Sequence, residues 1–284
     1  MENISQFRNG GQAFDFSKIT ITDRFMFPLV FSHKDIAKPF IEAALGLKIH
    51  DLSEPIQEKT VQVSPFYKSV RYDVFTKQLG KNGQELRSFD IEMQVADTKD
   101  LPRRARYYQS MCDSHDLHKG CLYNNLKDQY IIFICPEDIF GKELAIYSFR
   151  NVAKEDGGLE LGDRTYKNFF IYSNYDKLDD KHPLKKYLEY FATNRPKETD
   201  AETKRIHSQV VWYQADKETQ ERYMTWEQEI QLAVQAERER ADKAESRANR
   251  AESRADEAES RANRAESRAD EYAAILRQHG LLKD

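Results

Sequence analysis

RYDVFTKQLGKNGQELRSFDIEMQV (71–95) decides how the chain is read. Two strand-like runs flank Asn82-Gly83, a dipeptide suited to the left-handed backbone of a tight hairpin turn. A two-residue turn pairs Lys81 with Gln84. Continued without a break, that register sets Asp73 opposite Glu92, whereas a bulge shifts the alignment. Alternation sends Phe89, Ile91 and Met93 to one face of the second strand and Asp90, Glu92 and Gln94 to the other. On the first strand Arg71, Asp73 and Phe75 share a face. Two carboxylates and an amide are therefore expected to cluster across adjacent strands. Such oxygen donors suit Mg²⁺, which keeps several waters and is satisfied by one Asp, one Glu and a backbone carbonyl. An ion held there could bind a scissile phosphate and acidify an attacking water. The plain alternative is a hairpin whose polar face meets solvent.

Around the hairpin, apolar periodicity switches between helix and strand. DIAKPFIEAALGL (35–47) puts Ile36, Phe40, Ala44 and Leu47 on roughly one helical face, with Pro39 expected in the first turn. VQVSPF (61–66) reads as a strand, LPRRARYYQSMCDSH (101–115) as a helix and YIIFIC (130–135) as a buried strand. LAIYSF (144–149) and YKNFFIY (166–172) add further strands. Interleaved in this way, the elements imply an α/β domain with a mixed sheet flanked by helices. The polar, proline-containing NRPKETD (194–200) ends it, giving a first domain over residues 1–195.

The chain has 284 residues, 39% of them hydrophobic, enough for one sizeable core, and its length suggests about two structural units at roughly 150 residues each. Its 44 Lys+Arg nearly cancel 48 Asp+Glu, so total charge predicts no broad adhesion to nucleic acid, although a local basic patch can still bind it. Three cysteines, at 112, 121 and 135, form no CxxC pair, which argues against a disulfide-framed secreted domain. MENISQFRNG at the start has no apolar signal core, and no run approaches the roughly 18 apolar residues of a membrane span. A cytoplasmic protein is expected. No GxGxxG, Walker-type loop or GxSxG is present, so dehydrogenase, kinase and hydrolase readings gain no support.

Between Pro196 and Gly280 there is neither proline nor glycine, and long helix is expected. Residues 196–238 carry Ile206, Val210, Trp212, Tyr213, Met224, Trp226, Ile230 and Val234, a set suited to docking. Residues 239–284 hold a seven-residue repeat, RADKAES RANRAES RADEAES RANRAES RADEYAA over 240–274. Its alanines, from 241 to 269, alternate in steps of three and four. The other positions are mostly Arg, Asp, Glu and Ser. A seam of alanine buries little apolar surface, so this is either a close-packed coil that joins copies of the chain through 240–274 or a solitary charged spacer.

The ordered fragments ITDRFMFPLVF (21–31), FIEAALG (40–46), RYDVFT (71–76), FDIEMQ (89–94), RRARYYQSM (103–111) and KGCLYNNLKDQYIIFICPEDIFG (119–141) together resemble one family. It is that of the Rpn-type recombination-promoting nucleases, also described as PD-(D/E)XK family transposases, and the resemblance covers about residues 20–175. It implies a restriction-endonuclease-like core and a Mg²⁺-dependent, or Mn²⁺-dependent, DNA endonuclease linked to recombination or mobile elements. Through it, Asp73 is the motif aspartate, Glu92 the second carboxylate and Gln94 stands in the place of the lysine. Tyr72 stands where the motif name has proline. Glutamine cannot act as a base or carry charge, but it can orient water or phosphate by hydrogen bonding. Glu42 on the first helix is a candidate auxiliary acid, and Gln109 a further site candidate, with Tyr108 beside it read as packing. Arg103, Arg104 and Arg106 are candidates for gripping DNA phosphates, against the simpler reading of surface charge.

Two other readings stand beside this one. A domain weakened by the missing lysine could bind nucleic acid or protein without cutting, and the repeat could make the chain an oligomeric scaffold. Cys112, His115, His118 and Cys121 recur every three residues, but helical steps spread them over about half the circumference, which does not form a tetrahedral zinc cage. His33, His50, His182, His207 and His279 have no ligand-like spacing.

Overall fold

The computed structural model describes residues 7–8, 12–13, 15–62 and 68–278. Two short paired strands, β1 (Phe7–Arg8) and β2 (Gln12–Ala13), precede the main body. Helices α1 (Met26–Phe31) and α2 (Lys34–Leu45) follow, then β3 (Asp51–Leu52), β4 (Ile56–Val61), β5 (Val70–Leu79) and β6 (Glu85–Met93). Next come α3 (Leu101–Asp116), β7 (Asp128–Cys135), β8 (Ile146–Phe149), β9 (Thr165–Ile171), α4 (Lys185–Thr193), α5 (Ala201–Ala215) and α6 (Lys217–Gln278).

Strands β3 to β9 form one mixed sheet in the order β3-β5-β6-β7-β9-β8, with β4 also paired to β5. The two pairs β6–β7 and β7–β9 are parallel; the others are antiparallel. The expected α/β architecture is therefore present, although the strand expected over 61–66 is displaced. It runs instead from Ile56 to Val61, and residues 63–66 lie outside those described.

Pro39 departs from expectation, lying inside α2 beyond its first turn. A proline there has no N–H for the carbonyl four residues back. That carbonyl, of Asp35, instead accepts from Arg205 Nη1 of α5 at 3.4 Å.

The hairpin differs from the two-residue turn in two ways that offset each other. Gly80 N–H donates to the Gln84 carbonyl at 2.8 Å, closing a three-residue loop, Lys81-Asn82-Gly83, in which Gly83 takes φ +76°. Alone, this pairing would slide β6 by one residue. Gln78 pairs with Arg87 but Leu79 pairs with Glu85, so Leu86 is the extra residue of a bulge. Past that bulge Val74 pairs with Ile91, the same register that an unbroken two-residue hairpin would have produced.

The sheet's two faces have different covers. In β7 and β9, Ile131, Phe133, Cys135, Phe169 and Ile171 pack beneath Leu101 and Ala105 of α3, with Phe133 and Phe169 stacked at 5.3 Å. Aromatic rings of α1, α2 and α4 form a second core: Phe31 meets Phe40 at 5.2 Å, and Phe40 meets Tyr187 at 5.3 Å. Burying side chains of this size contributes about 1.5–3 kcal/mol each, which holds the sheet as a rigid platform.

The chain divides into two compact units, residues 1–220 and 221–284. Helix α5 belongs to the first unit because Ile206 and Val210 are buried in it, and Tyr213 Oη meets His33 Nε2 at 2.9 Å. Val211 and Trp212 of the same helix stay exposed. In the second unit the expected helix forms as part of α6, whose 62 residues extend about 93 Å at roughly 1.5 Å per residue. The alanine repeat from 241 to 269 is exposed throughout, and residues 279–284 lie outside those described. Among the described residues no helix is long and apolar enough to cross a membrane.

Candidate metal centre

Strands β5 and β6 stop exchanging backbone hydrogen bonds after Val74 and Ile91, and two carboxylates take over. Asp73 N–H donates to Glu92 Oε1 at 3.0 Å, and Met93 N–H donates to Asp73 Oδ2 at 3.0 Å. Each acid thus accepts from the main chain of the opposite strand, which fixes both side chains where the strands part. Gln94 N–H then donates to the Ile134 carbonyl at 2.9 Å, carrying β6 onward beside β7.

The polar face does not meet solvent. Parallel pairing sets Asp90 beside Ile131 and Glu92 beside Phe133, on the face that α3 covers. Asp90, Glu92 and Gln94 are accordingly buried, at 4%, 2% and 6% exposure. From α3, Arg104 reaches down to them. Its Nη2 donates to Glu92 Oε2 at 3.2 Å and to Tyr108 Oη at 3.0 Å, and its Nη1 donates to Gln94 Oε1 at 3.0 Å. The Tyr108 ring packs 5.4 Å from that of Tyr72, whose hydroxyl donates to the Tyr108 carbonyl at 2.9 Å.

Electrostatically the cluster is short of positive charge. Burial pushes the Asp73 carboxyl up to about 6, against the opposing pull of the Met93 N–H and of Arg104. Glu92 is driven well above the usual carboxylate range by burial and then by the charges of Asp73 and Asp90. Asp90 is raised by burial and by Asp73, and both of its oxygens are buried with no hydrogen-bond partner among the described residues. Sequence reasoning put Asp90 on the correct face but gave it no role; its alternation with Glu92 was the available signal.

The other candidates separate from this cluster. Arg104 points inward to the carboxylates, while Arg103 and Arg106 of the same helix are exposed. Gln109 is buried and donates from Nε2 to the Tyr166 carbonyl at 3.3 Å, tying α3 to β9. Glu42 Oε1 accepts from Ile49 N–H at 2.8 Å and so fastens the chain just after α2. Ala44 and Leu45 at the far end of α2, with Leu47 just beyond it, help line a cavity of about 490 Å³ with Tyr130, Tyr166 and Asn168. Cys112 is buried and Cys121 exposed.

The donor chemistry fits a divalent cation of the magnesium type. Its acids offer hard oxygens: Asp90 and Glu92 are buried and Asp73 half-buried, and one guanidinium pairs with Glu92 while Asp90 is orphaned. Among the described residues no three His, Cys, Asp or Glu side chains converge on one ion position. Asp73 and Glu92 would therefore have to hold such an ion with water completing its shell, as Mg²⁺ allows.

A family model described as "Alanine-zipper, major outer membrane lipoprotein" matches residues 227–277, within the helical tail. No curated protein and no solved structure matches the chain.

Proposed function

We propose that the α/β unit is a metal-dependent DNA endonuclease, of a kind linked to recombination or mobile elements, in which Asp73 and Glu92 hold Mg²⁺ or Mn²⁺. The observation that carries this reading is the reciprocal pair of carboxylate-to-backbone bonds at the end of the β5–β6 ladder. They pin two acids on a buried, under-compensated face. The resemblance to the Rpn-type nucleases, with their restriction-endonuclease-like core, adds to it. When bound, the ion supplies Lewis-acid polarisation of the phosphate and a more acidic water. The reaction is hydrolysis, in which water adds to phosphorus as the bond to the leaving sugar oxygen breaks. Gln94 accepts from Arg104 through Oε1, which leaves its amide NH₂ to donate to water or phosphate. Arg104 then provides, from α3, the positive charge that a lysine at position 94 would have provided from β6. Exposed Arg103 and Arg106 grip flanking phosphates. The full chain should cut plasmid DNA with Mg²⁺ or Mn²⁺ and not in EDTA. Asp73→Ala and Glu92→Ala should each abolish cutting, and retained cutting in either folded variant overturns the assignment.

One observation favours a second reading, a nucleic-acid- or protein-binding module without cleavage. Glu92 already has a cationic partner in Arg104, and position 94 lacks the lysine. DNA binding with no cleavage under any divalent ion supports that reading. On either one, the alanine-rich helix is the element through which copies of the chain associate.

A further inference from the structure

The helical tail carries more information than its alanines. In heptad positions a to g, the seam over 230–276 has Val234, Ala241, Ala248, Ala255, Ala262, Ala269 and Leu276 at a. Position d holds Ile230, Glu237, Ala244, Ala251, Ala258, Ala265 and Tyr272. Larger apolar residues therefore close both ends of the alanine stretch on the same seam. Val234, Tyr272 and Leu276 are exposed at 45%, 68% and 38% in the single chain, so apolar surface faces water along that line.

The flanks of the seam are sorted by sign. Position g is arginine at 240, 247, 254, 261 and 268, and position e is glutamate at 245, 252, 259 and 266. In a parallel coil, g of one helix lies beside e of the next heptad on its neighbour. Arg240, Arg247, Arg254 and Arg261 then meet Glu245, Glu252, Glu259 and Glu266 of the other copy. In an antiparallel coil g faces g and e faces e, so arginine meets arginine and glutamate meets glutamate along the whole repeat. Among the described residues of this stretch the one ion pair within the helix is Arg261 Nη2 to Glu257 Oε2 at 3.6 Å, and the glutamates at e are left for a partner.

We infer that the partner of this face is a second copy of the chain, aligned parallel and in register. This rests on the reading that the helix self-associates and goes beyond it in fixing direction and alignment. Register follows from size. Alanine layers require close backbones, whereas Val234, Tyr272 and Leu276 require wider ones. A slip of one heptad sets Tyr272 against Ala265 and Leu276 against Ala269, removes one Arg–Glu match on one flank, and on the other sets Arg240 beside Arg238 of the other copy. Because the repeat follows the α/β unit in the chain, parallel alignment brings the α/β units of both copies to the same end of the coil.

Disulfide trapping of the full chain on a Cys121→Ser background tests this, with mass measured by sedimentation equilibrium. Ala244→Cys chains should associate and cross-link to one another at position 244. An associated protein that fails to self-cross-link, but cross-links when Ala244→Cys is mixed with Ala262→Cys or Ala265→Cys, is antiparallel and overturns the inference alone. A monomer at every concentration overturns the self-association reading beneath it. Charge gives an independent arm. Arg247→Glu/Arg254→Glu/Arg261→Glu should lose self-association, and mixing it with Glu252→Arg/Glu259→Arg/Glu266→Arg should restore a mixed assembly. Unchanged self-association of the first triple variant contradicts the role of the flanks.

Discussion

Asp90 is a buried carboxylate whose two oxygens have no hydrogen-bond partner among the described residues, and its neighbours Asp73 and Glu92 are acids too. The folded state consequently holds protons that the unfolded chain releases. For Asp73 the window runs from its ordinary value of 3.8 up to about 6. Where the native state binds more protons, stability falls as pH rises, so this group's contribution is present below about pH 4 and lost through about pH 6. Thermal unfolding in EDTA should therefore show the cluster favouring the fold at the acid end of that window. Asp90→Asn should raise the melting temperature at pH 7, by about 2–4 °C for each kcal/mol recovered, and flatten the decline. A lower melting temperature with an unchanged slope would count against a strained carboxylate. Arg104 should behave in the opposite sense. Removing one member of a buried ion pair costs about 3–5 kcal/mol, and the 27% exposure of its side chain puts Arg104→Ala toward the lower end. Arg104→Lys should recover only part of this in urea unfolding, because one ammonium cannot serve Glu92, Gln94 and Tyr108 from a planar fork.

The β5–β6 hairpin is the element on which sequence and structure can be compared most closely. Its alternation and Asn-Gly signal align Asp73 with Glu92, and the folded register agrees because the three-residue loop and the bulge cancel. The three-residue loop and the bulge at Leu86 were not legible. Gly83 tolerates a positive φ in either turn, and Leu86, exposed at 37%, leaves no patterning trace of being extra. Burial of the polar face was equally hidden, since it depends on α3 crossing above β6 and β7, a long-range event that no local pattern encodes. Arg104 shows the same limit: three arginines in one helical turn look alike in sequence, and only the helix's orientation selects the one that turns inward. Gly83 also offers a clean local test. A Cβ there meets nothing within 4 Å, so Gly83→Ala should cost about 1 kcal/mol from the left-handed backbone alone. Equilibrium denaturation reads that value. A loss several times larger would mean the hairpin depends on contacts not seen at this turn.

At the scale of the whole chain, near-neutral charge conceals two sorted distributions: acids gathered under one arginine in the α/β unit, and arginine and glutamate lined up on opposite flanks of the repeat. The helical tail was the most legible part of the sequence, because a seven-residue repeat needs no tertiary context. The division between units was less so. NRPKETD looks like a linker, yet α5 beyond it is held by buried Ile206 and Val210. A chain ending at residue 238 should keep the α/β unit folded and lose self-association in sedimentation equilibrium. Retained association would move the interface to that unit. The most direct measurement is Mn²⁺ binding to the full chain, followed by the loss of the free-ion paramagnetic resonance signal, for the natural sequence and for Asp73→Asn and Glu92→Gln. One ion bound per chain, lost in both variants while their melting transitions remain cooperative, is the expected result. Binding that survives both substitutions, or no binding by the folded natural chain, contradicts a metal centre at Asp73 and Glu92.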